Sequence, residues 1–228
     1  AAAYPPNQVA DEDLWGAVDG AMVRHAGRIL EWLTLPPQTN EVRRAAALIP
    51  SIWWALNHVG PRPVVLSELG ASAGLNLMLD RFSLAIDGQT FGPGESTVRL
   101  APDWSGPYPA PRAINVIDRR GVDLAPMHAS NPNDALRLLS YLWPDQPDRL
   151  TRTQAALAMA EAPVDQGDAA PWVQDRLGTR FAGALHVVYS TIAAQYFPET
   201  TRAHIAESLR NSGARARPHA PLLHLAME

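Results

Sequence analysis

Residues 64–76 read V-V-L-S-E-L-G-A-S-A-G-L-N, a short apolar run that passes directly into a string of small residues. The run is bounded like a strand and apolar enough to be covered on both faces, which calls for a parallel sheet with helices on either side. The small residues mark its carboxyl end as a place where the backbone turns sharply or lets a ligand come close. An acid, Glu68, and a hydroxyl, Ser72, stand at this turn. Two unrelated chemistries put such a string after a strand: the G-x-S-x-G serine nucleophile and the loop that cradles a nucleotide cofactor.

The rest of the chain alternates in the same sense. Ahead of the strand, 11–33 carries Leu14, Val18, Met22, Ile29 and Leu33 near helical spacing behind an acidic first turn. A second helix spans 41–59, with Trp53 and Trp54 in its apolar face and Pro50 as a kink. After the strand, 72–82 reads as a helix, and 83–86 with 96–100 reads as a hairpin around Asp87-Gly88 and Gly92-Pro93-Gly94. A Pro- and Gly-rich loop at 103–112 carries Trp104 and Tyr108. Further strands fall within 114–122 and at 162–166, 185–189 and 222–226, between helices at 134–142, 149–161, 171–181 and 199–211. Trp143-Pro144 reads as the packed end of the first of these helices. Such alternation predicts an α/β fold whose mostly parallel sheet is covered on both faces. We expect a helical extension over 1–62 and an α/β domain over 63–228, with a hairpin and loop inserted at about 83–112.

Composition removes several function classes. The chain has no cysteine, which excludes thiol nucleophiles, disulfides and thiolate-bound metals. It also has no lysine; all 19 basic residues are arginine, so Schiff-base chemistry and a Walker-type phosphate loop are excluded. A net charge of -4 without a basic block argues against a nucleic-acid partner, and the absence of a long apolar run argues against a membrane one. His219 and His224 lack metal-ligand spacing with any partner, so no metal is expected. Ala1-Ala2-Ala3 resembles no complete signal peptide, and the expected location is cytoplasmic. The closing L-L-H-L-A-M-E reads as a strand at which a domain rarely stops, so the domain is expected to run on past residue 228. Nothing in the sequence sets the oligomeric state.

Three acids fall at strand ends: Glu68 near the end of the first, Asp123 after the second and Asp168 after the third. In an open parallel sheet, ligands bind outside the carboxyl ends, where the strand order reverses. This order, with E-L-G-A-S-A-G at 68–74, G-V-D at 121–123 and G-D-A at 167–169, resembles class I S-adenosylmethionine-dependent methyltransferases. The resemblance implies a Rossmann-like sheet and S-adenosylmethionine as cofactor, with Glu68, Gly70, Ser72 and Gly74 shaping the methionine side. It further implies that Asp123 holds the ribose hydroxyls and that Asp168 meets the adenine. A vicinal diol suits one carboxylate because two charge-assisted hydrogen bonds form side by side. Tyr189 and Ser190, at the end of the fourth strand, would then position a small-molecule acceptor, and no residue stands out as catalytic base.

Two features depart from that family. Ser72 replaces its middle glycine, and the stretch from Gly70 to Asp123 is longer than usual, as the inserted hairpin would make it. If the hairpin were itself the second strand, Asp87 would be the ribose acid. More specifically, E-L-G-A-S-A-G-L-N-L with G-V-D-L-A-P, L-W-P-D-Q and L-A-M-E resembles the bacterial domain-of-unknown-function family 2332, which carries no known activity.

Other readings stay open. A serine hydrolase would take Ser72, Asp168 and His219 or His224 in that order, although a nucleophile elbow normally follows several strands and only one precedes Ser72. A non-catalytic protein that keeps the cofactor fold is a third. Each residue also has a plain structural role to set against these. Glu68 would cap the following helix or pair with an arginine, Gly70 and Gly74 would serve a tight turn and close helix packing, Asp123 and Asp168 would be loop carboxylates, Asn76 a helix-surface residue, and Arg215 and Arg217 a solvated turn.

Overall fold

The computed structural model describes residues 2–4 and 7–228. The chain opens with α1 (Asp11–Arg24) and α2 (Ala26–Leu33), which meet at His25, where φ -114 and ψ 18 leave the helical region. The one helix expected over 11–33 is therefore two, broken just ahead of Gly27, a residue that weakens any helix interior. Neither helix buries a residue, and Trp15, Met22, Val23, Leu30 and Leu33 are all exposed.

A 3-10 turn at Val42–Arg44 leads into α3 (Ala45–Val59), which continues through Pro50 and ends at Gly60, whose φ of +85 a side chain would resist. Trp53 is buried and meets Phe91 edge-on at 5.3 Å, whereas Trp54 points outward and is 52% exposed. Only one of the two tryptophans thus belongs to the apolar face.

Strand β1 (Val64–Leu69) is buried along its whole length. The helix expected over 72–82 is instead a 3-10 segment, Leu75–Arg81, interrupted at Met78. Five consecutive residues from Leu75 to Leu79 are buried, whereas an amphipathic helix would bury one stripe. The Leu77 carbonyl also accepts from Arg119 Nη1 at 2.8 Å, which takes an acceptor that an α-helix would use.

Next comes a small separate sheet of order β3-β2-β4, made of β2 (Ser83–Ile86), β3 (Gln89–Phe91) and β4 (Arg99–Leu100). The hairpin partner of β2 is β3, and β4 joins parallel. The stretches 83–86 and 96–100, expected as a hairpin, thus pair in parallel over Arg99–Leu100, and the hairpin is the β2–β3 pair. Asp87 and Gly88 both take positive φ, 50 and 77, so the chain closes in a tight two-residue turn.

The remaining elements are β5 (Val116–Asp123), α4 (Pro132–Ser140), α5 (Pro147–Met159), β6 (Val164–Gln166), α6 (Ala169–Gly178), β7 (Leu185–Thr191), α7 (Glu199–Ala214) and β8 (Leu222–Met227). Trp143, beyond α4, is 69% exposed and does not pack as a helix end.

The central sheet runs β6-β5-β1-β7-β8 with every pair parallel. From β1 the chain builds outward through β5 and β6, then crosses back to lay down β7 and β8 on the other side. The order reverses beside β1. One face of the sheet packs on α3, the 3-10 segment and the small sheet in a single core. The other packs on α6 and α7 through Leu69, Val122, Val173, Val188 and Ile205. Helix α3 thus shares its core with the sheet. Among the described residues, no helix is long and apolar enough to cross a membrane.

Gly121, in β5, lies opposite Glu68 in β1, and a Cβ there would come within 2.5 Å of the Ala71 side chain. Gly213 in α7 has open space around its Cβ position. Gly121→Ala is expected to lower unfolding stability by about 1–3 kcal/mol through overpacking. Gly213→Ala is expected to raise it by about 0.4–1 kcal/mol by restricting the unfolded chain. Urea melts of the two variants beside the parent check both signs.

Candidate functional site

The turn after β1 folds back over β5. The backbone N–H groups of Gly70 and Ala71 both donate to the Val122 carbonyl, at 2.9 and 3.0 Å. Gly70, Ser72 and Gly74 take positive φ of 73, 55 and 67, so alternate residues of the loop are left-handed. At Gly70 a Cβ would meet that of Ala193 at 2.4 Å, so the glycine lets the segment after β7 close on the loop. At Gly74 it would press on Val164 of β6 at 3.0 Å. Ser72, the departure from an all-glycine loop, pays for the same conformation without that freedom.

Asp123 ends β5 beside this loop. Its Oδ2 accepts the Ser72 backbone N–H at 2.8 Å and its Oδ1 accepts the Ala125 N–H at 2.9 Å. A carboxylate has about four acceptor positions, so each oxygen keeps capacity for a further donor. Asp87, the other ribose candidate, sits in the β2–β3 turn of the separate sheet.

Glu68 projects from the β1 face that carries Val64 and Leu66, and is 2% exposed. Tyr189, aligned with it on β7, donates its hydroxyl to Glu68 Oε2 at 3.3 Å. Burial pushes the Glu68 carboxyl up to about 8, against the Tyr189 hydrogen bond and the Arg44 charge, both of which favour the ionised form. Burial, then the nearby Glu68 charge, holds the Tyr189 phenol well above its ordinary value.

The segment between α2 and α3 lies over this loop. Gln38 accepts the Ser72 hydroxyl at 2.6 Å and donates to the Ala125 carbonyl at 3.0 Å. Asn40, buried and at φ 32, donates to the Ala71 carbonyl at 3.0 Å. Arg44 donates to the Thr191 carbonyl at 2.6 Å, joining the segment to the end of β7, and burial lowers its pKa. Asn76 is buried rather than on a helix surface and donates to the Glu41 carbonyl at 3.3 Å.

Glu68, Gly70, Ser72, Gly74, Asp123 and Tyr189 thus meet around one loop. Ser190 points to the other face, where its hydroxyl donates to Glu228 Oε1 at 3.1 Å. Asp168 is the N-cap of α6: its Oδ1 accepts the Ala170 N–H at 2.7 Å and its Oδ2 the Thr201 hydroxyl at 3.3 Å. The serine, acid and histidine of the hydrolase reading do not meet. His219 lies before β8, bonded through its carbonyl to Gly183 near the amino end of β7, and His224 sits midway along the edge strand. Among the described residues no cluster of acids and histidines offers a metal site.

The family described as uncharacterized protein conserved in bacteria (DUF2332) matches residues 1–228. The chain belongs to that family. No curated protein and no solved structure matches it. Within this DUF2332 chain the residues that sequence reasoning missed are Gln38, Asn40, Arg44 and Gly121. The first three act through contacts far along the chain, so no local pattern marks them. Gly121 carried a signal, since a glycine inside a strand often marks close backbone approach.

Glu68 gives the site a pH signature. The folded chain holds its proton up to about 8, whereas an unfolded carboxyl ionises near 4.5. Its contribution to stability is therefore fully present below 4.5 and is lost as pH rises through about 8. His186, held neutral down to about 4 by burial, loses stability in the opposite direction, from 6.5 downward. Glu68→Gln removes only the first slope. Urea melts are expected to find the variant close to the parent at pH 5 and more stable by up to a few kcal/mol at pH 9.

Proposed function

We propose that this protein binds S-adenosylmethionine over the carboxyl ends of β5, β1 and β7 and transfers its methyl group to a small-molecule acceptor. The observation that carries the reading is the meeting of Glu68 and Asp123 around a loop of small residues, at the point where the strand order reverses. Counted along the chain, the central strands lie in the order third, second, first, fourth, fifth, which is that of a dinucleotide-type sheet. The inserted small sheet accounts for the long interval before Asp123, as the methyltransferase resemblance requires.

The donor set fits such a ligand. Asp123 keeps acceptor capacity for two ribose hydroxyls, and the loop beside it is built of small residues. Glu68, kept protonated at neutral pH by burial, presents a neutral carboxyl beneath the loop. When bound, the cofactor supplies an electrophilic methyl group, so the protein needs mainly to align an acceptor and exclude water. Gln38, Asn40 and Arg44 supply that cover from the segment over the loop. Asp168 would stand near the adenine as the cap of α6, and Tyr189 near the acceptor.

One observation favours a second reading, a serine hydrolase: Ser72 takes a strained positive φ of 55 at a strand end, as an elbow nucleophile does. Its hydroxyl, however, donates to Gln38 at 2.6 Å, and no histidine shares a hydrogen bond with it among the described residues. Modification of Ser72 by a serine-reactive phosphonate would favour that reading.

Calorimetric titration with S-adenosylmethionine and S-adenosylhomocysteine is expected to give micromolar binding. Asp123→Ala is expected to weaken it more than tenfold, and Ser72→Ala by less than about threefold, with melting curves confirming that both variants fold. No binding by the parent chain would sink the methyltransferase reading. Binding without methyl transfer across a broad acceptor screen would point to a non-catalytic cofactor-binding protein.

A further inference from the structure

The opposite edge of the sheet holds a cavity of about 190 Å³ between the α6–β7 and α7–β8 connections. Its lining includes Arg180, Arg215, Arg217, His186 and His219, and no carboxylate. This is unusual in a chain of net charge -4. Six arginines elsewhere pair with acids: Arg81, Arg119, Arg120, Arg149, Arg152 and Arg176. The three rim arginines have no such partner. Arg215 donates only to the nearby Ser212 hydroxyl and Arg217 to the Ala216 carbonyl, while Arg180 makes no hydrogen bond or ion pair among the described residues.

The base of the cavity is built from the sheet. His186 is 7% exposed, with its ring edge-on to Phe181 at 5.2 Å. Its Nε2 lies 2.9 Å from Ser67 Oγ, and Arg176 Nε donates to the same oxygen at 3.0 Å. A guanidinium can only donate, so Ser67 Oγ accepts from Arg176, which leaves its own proton free to go to His186 Nε2. Arg176 is itself fixed by Asp118 at 2.7 Å. Burial, aided by the Arg176 charge, keeps the imidazole neutral down to about 4, so it carries one ring proton, which sits on Nδ1 when Ser67 donates to Nε2. Nothing among the described residues accepts from Nδ1. In that tautomer His186 presents a donor at the base of an arginine-rimmed cavity.

We propose that this cavity is a binding site for a small oxyanion of phosphate size, held by the Arg180, Arg215 and Arg217 guanidinium groups at the rim and by His186 Nδ1–H at the base. Planar guanidinium forks match tetrahedral oxyanions in two-pronged geometry, and a fixed neutral donor adds selectivity without further charge. The site lies at the amino ends of β7 and β8, across the sheet from the Glu68–Asp123 loop, and does not depend on the methyltransferase reading.

The test is calorimetric titration of the whole chain with inorganic phosphate in a chloride buffer, repeated with acetate. Saturable one-site binding of phosphate is expected, with acetate weaker. Arg180→Ala and Arg217→Ala, both surface changes, are each expected to weaken it about tenfold. His186→Leu is expected to abolish it, and His186→Asn, which restores a donor near the Nδ1 position, to retain part of it. Failure to saturate below ~10 mM overturns the proposal. Equal affinity in the parent and both arginine variants means an adventitious ion only and overturns it too, and acetate binding as tightly as phosphate overturns the assignment of ligand class.

Discussion

The site depends on one carboxylate. Asp123 receives the Ser72 N–H on one oxygen and the Ala125 N–H on the other, and so pins the turn after β1 to the turn after β5. Charge-assisted bonds of this kind are stronger than neutral ones, and here they hold a residue in a left-handed conformation that serine would otherwise leave. Gly121 makes the approach possible, because any side chain there would occupy the place of Ala71. The turn, the acid and the glycine are a single arrangement.

The segment between α2 and α3 completes it from outside the sheet. Gln38 and Asn40 reach the loop through side-chain amides, which can donate and accept at once, and Arg44 reaches the end of β7. Glu41, the cap of the 3-10 turn ahead of α3, holds Arg149 and Arg152 of α5. The stretch that a division by sequence places in an extension is thereby built into the cover of the central sheet, while α1 and α2 bury nothing.

The two edges of the sheet have opposite chemistry. The carboxyl ends bring together Glu68, Asp123 and Glu228, and burial keeps the first of these neutral at ordinary pH. The amino ends of β7 and β8 gather arginines around a cavity whose lining holds no acid.

Much of the fold was legible in the chain. The buried run of β1, the alternation of strands and helices and the acids at the ends of β1 and β5 followed from hydrophobic pattern and turn residues, because these act over a few neighbours. The errors fell where distant groups compete with local preference. The stretch after Gly74 reads as a helix yet is a 3-10 segment, because it is buried on all sides and Arg119 takes one of its carbonyls. The β2 hairpin partner was missed because a tight Asp-Gly turn outbids a longer closure. By itself the sequence determined an α/β chain with a small-residue turn and an acid ending each of two strands. Only the tertiary structure decided that those strands lie side by side, that Gln38, Asn40 and Arg44 cover the turn, and that three arginines and His186 share a cavity. Pairing between distant strands and loops is set by packing in three dimensions, which no local period encodes.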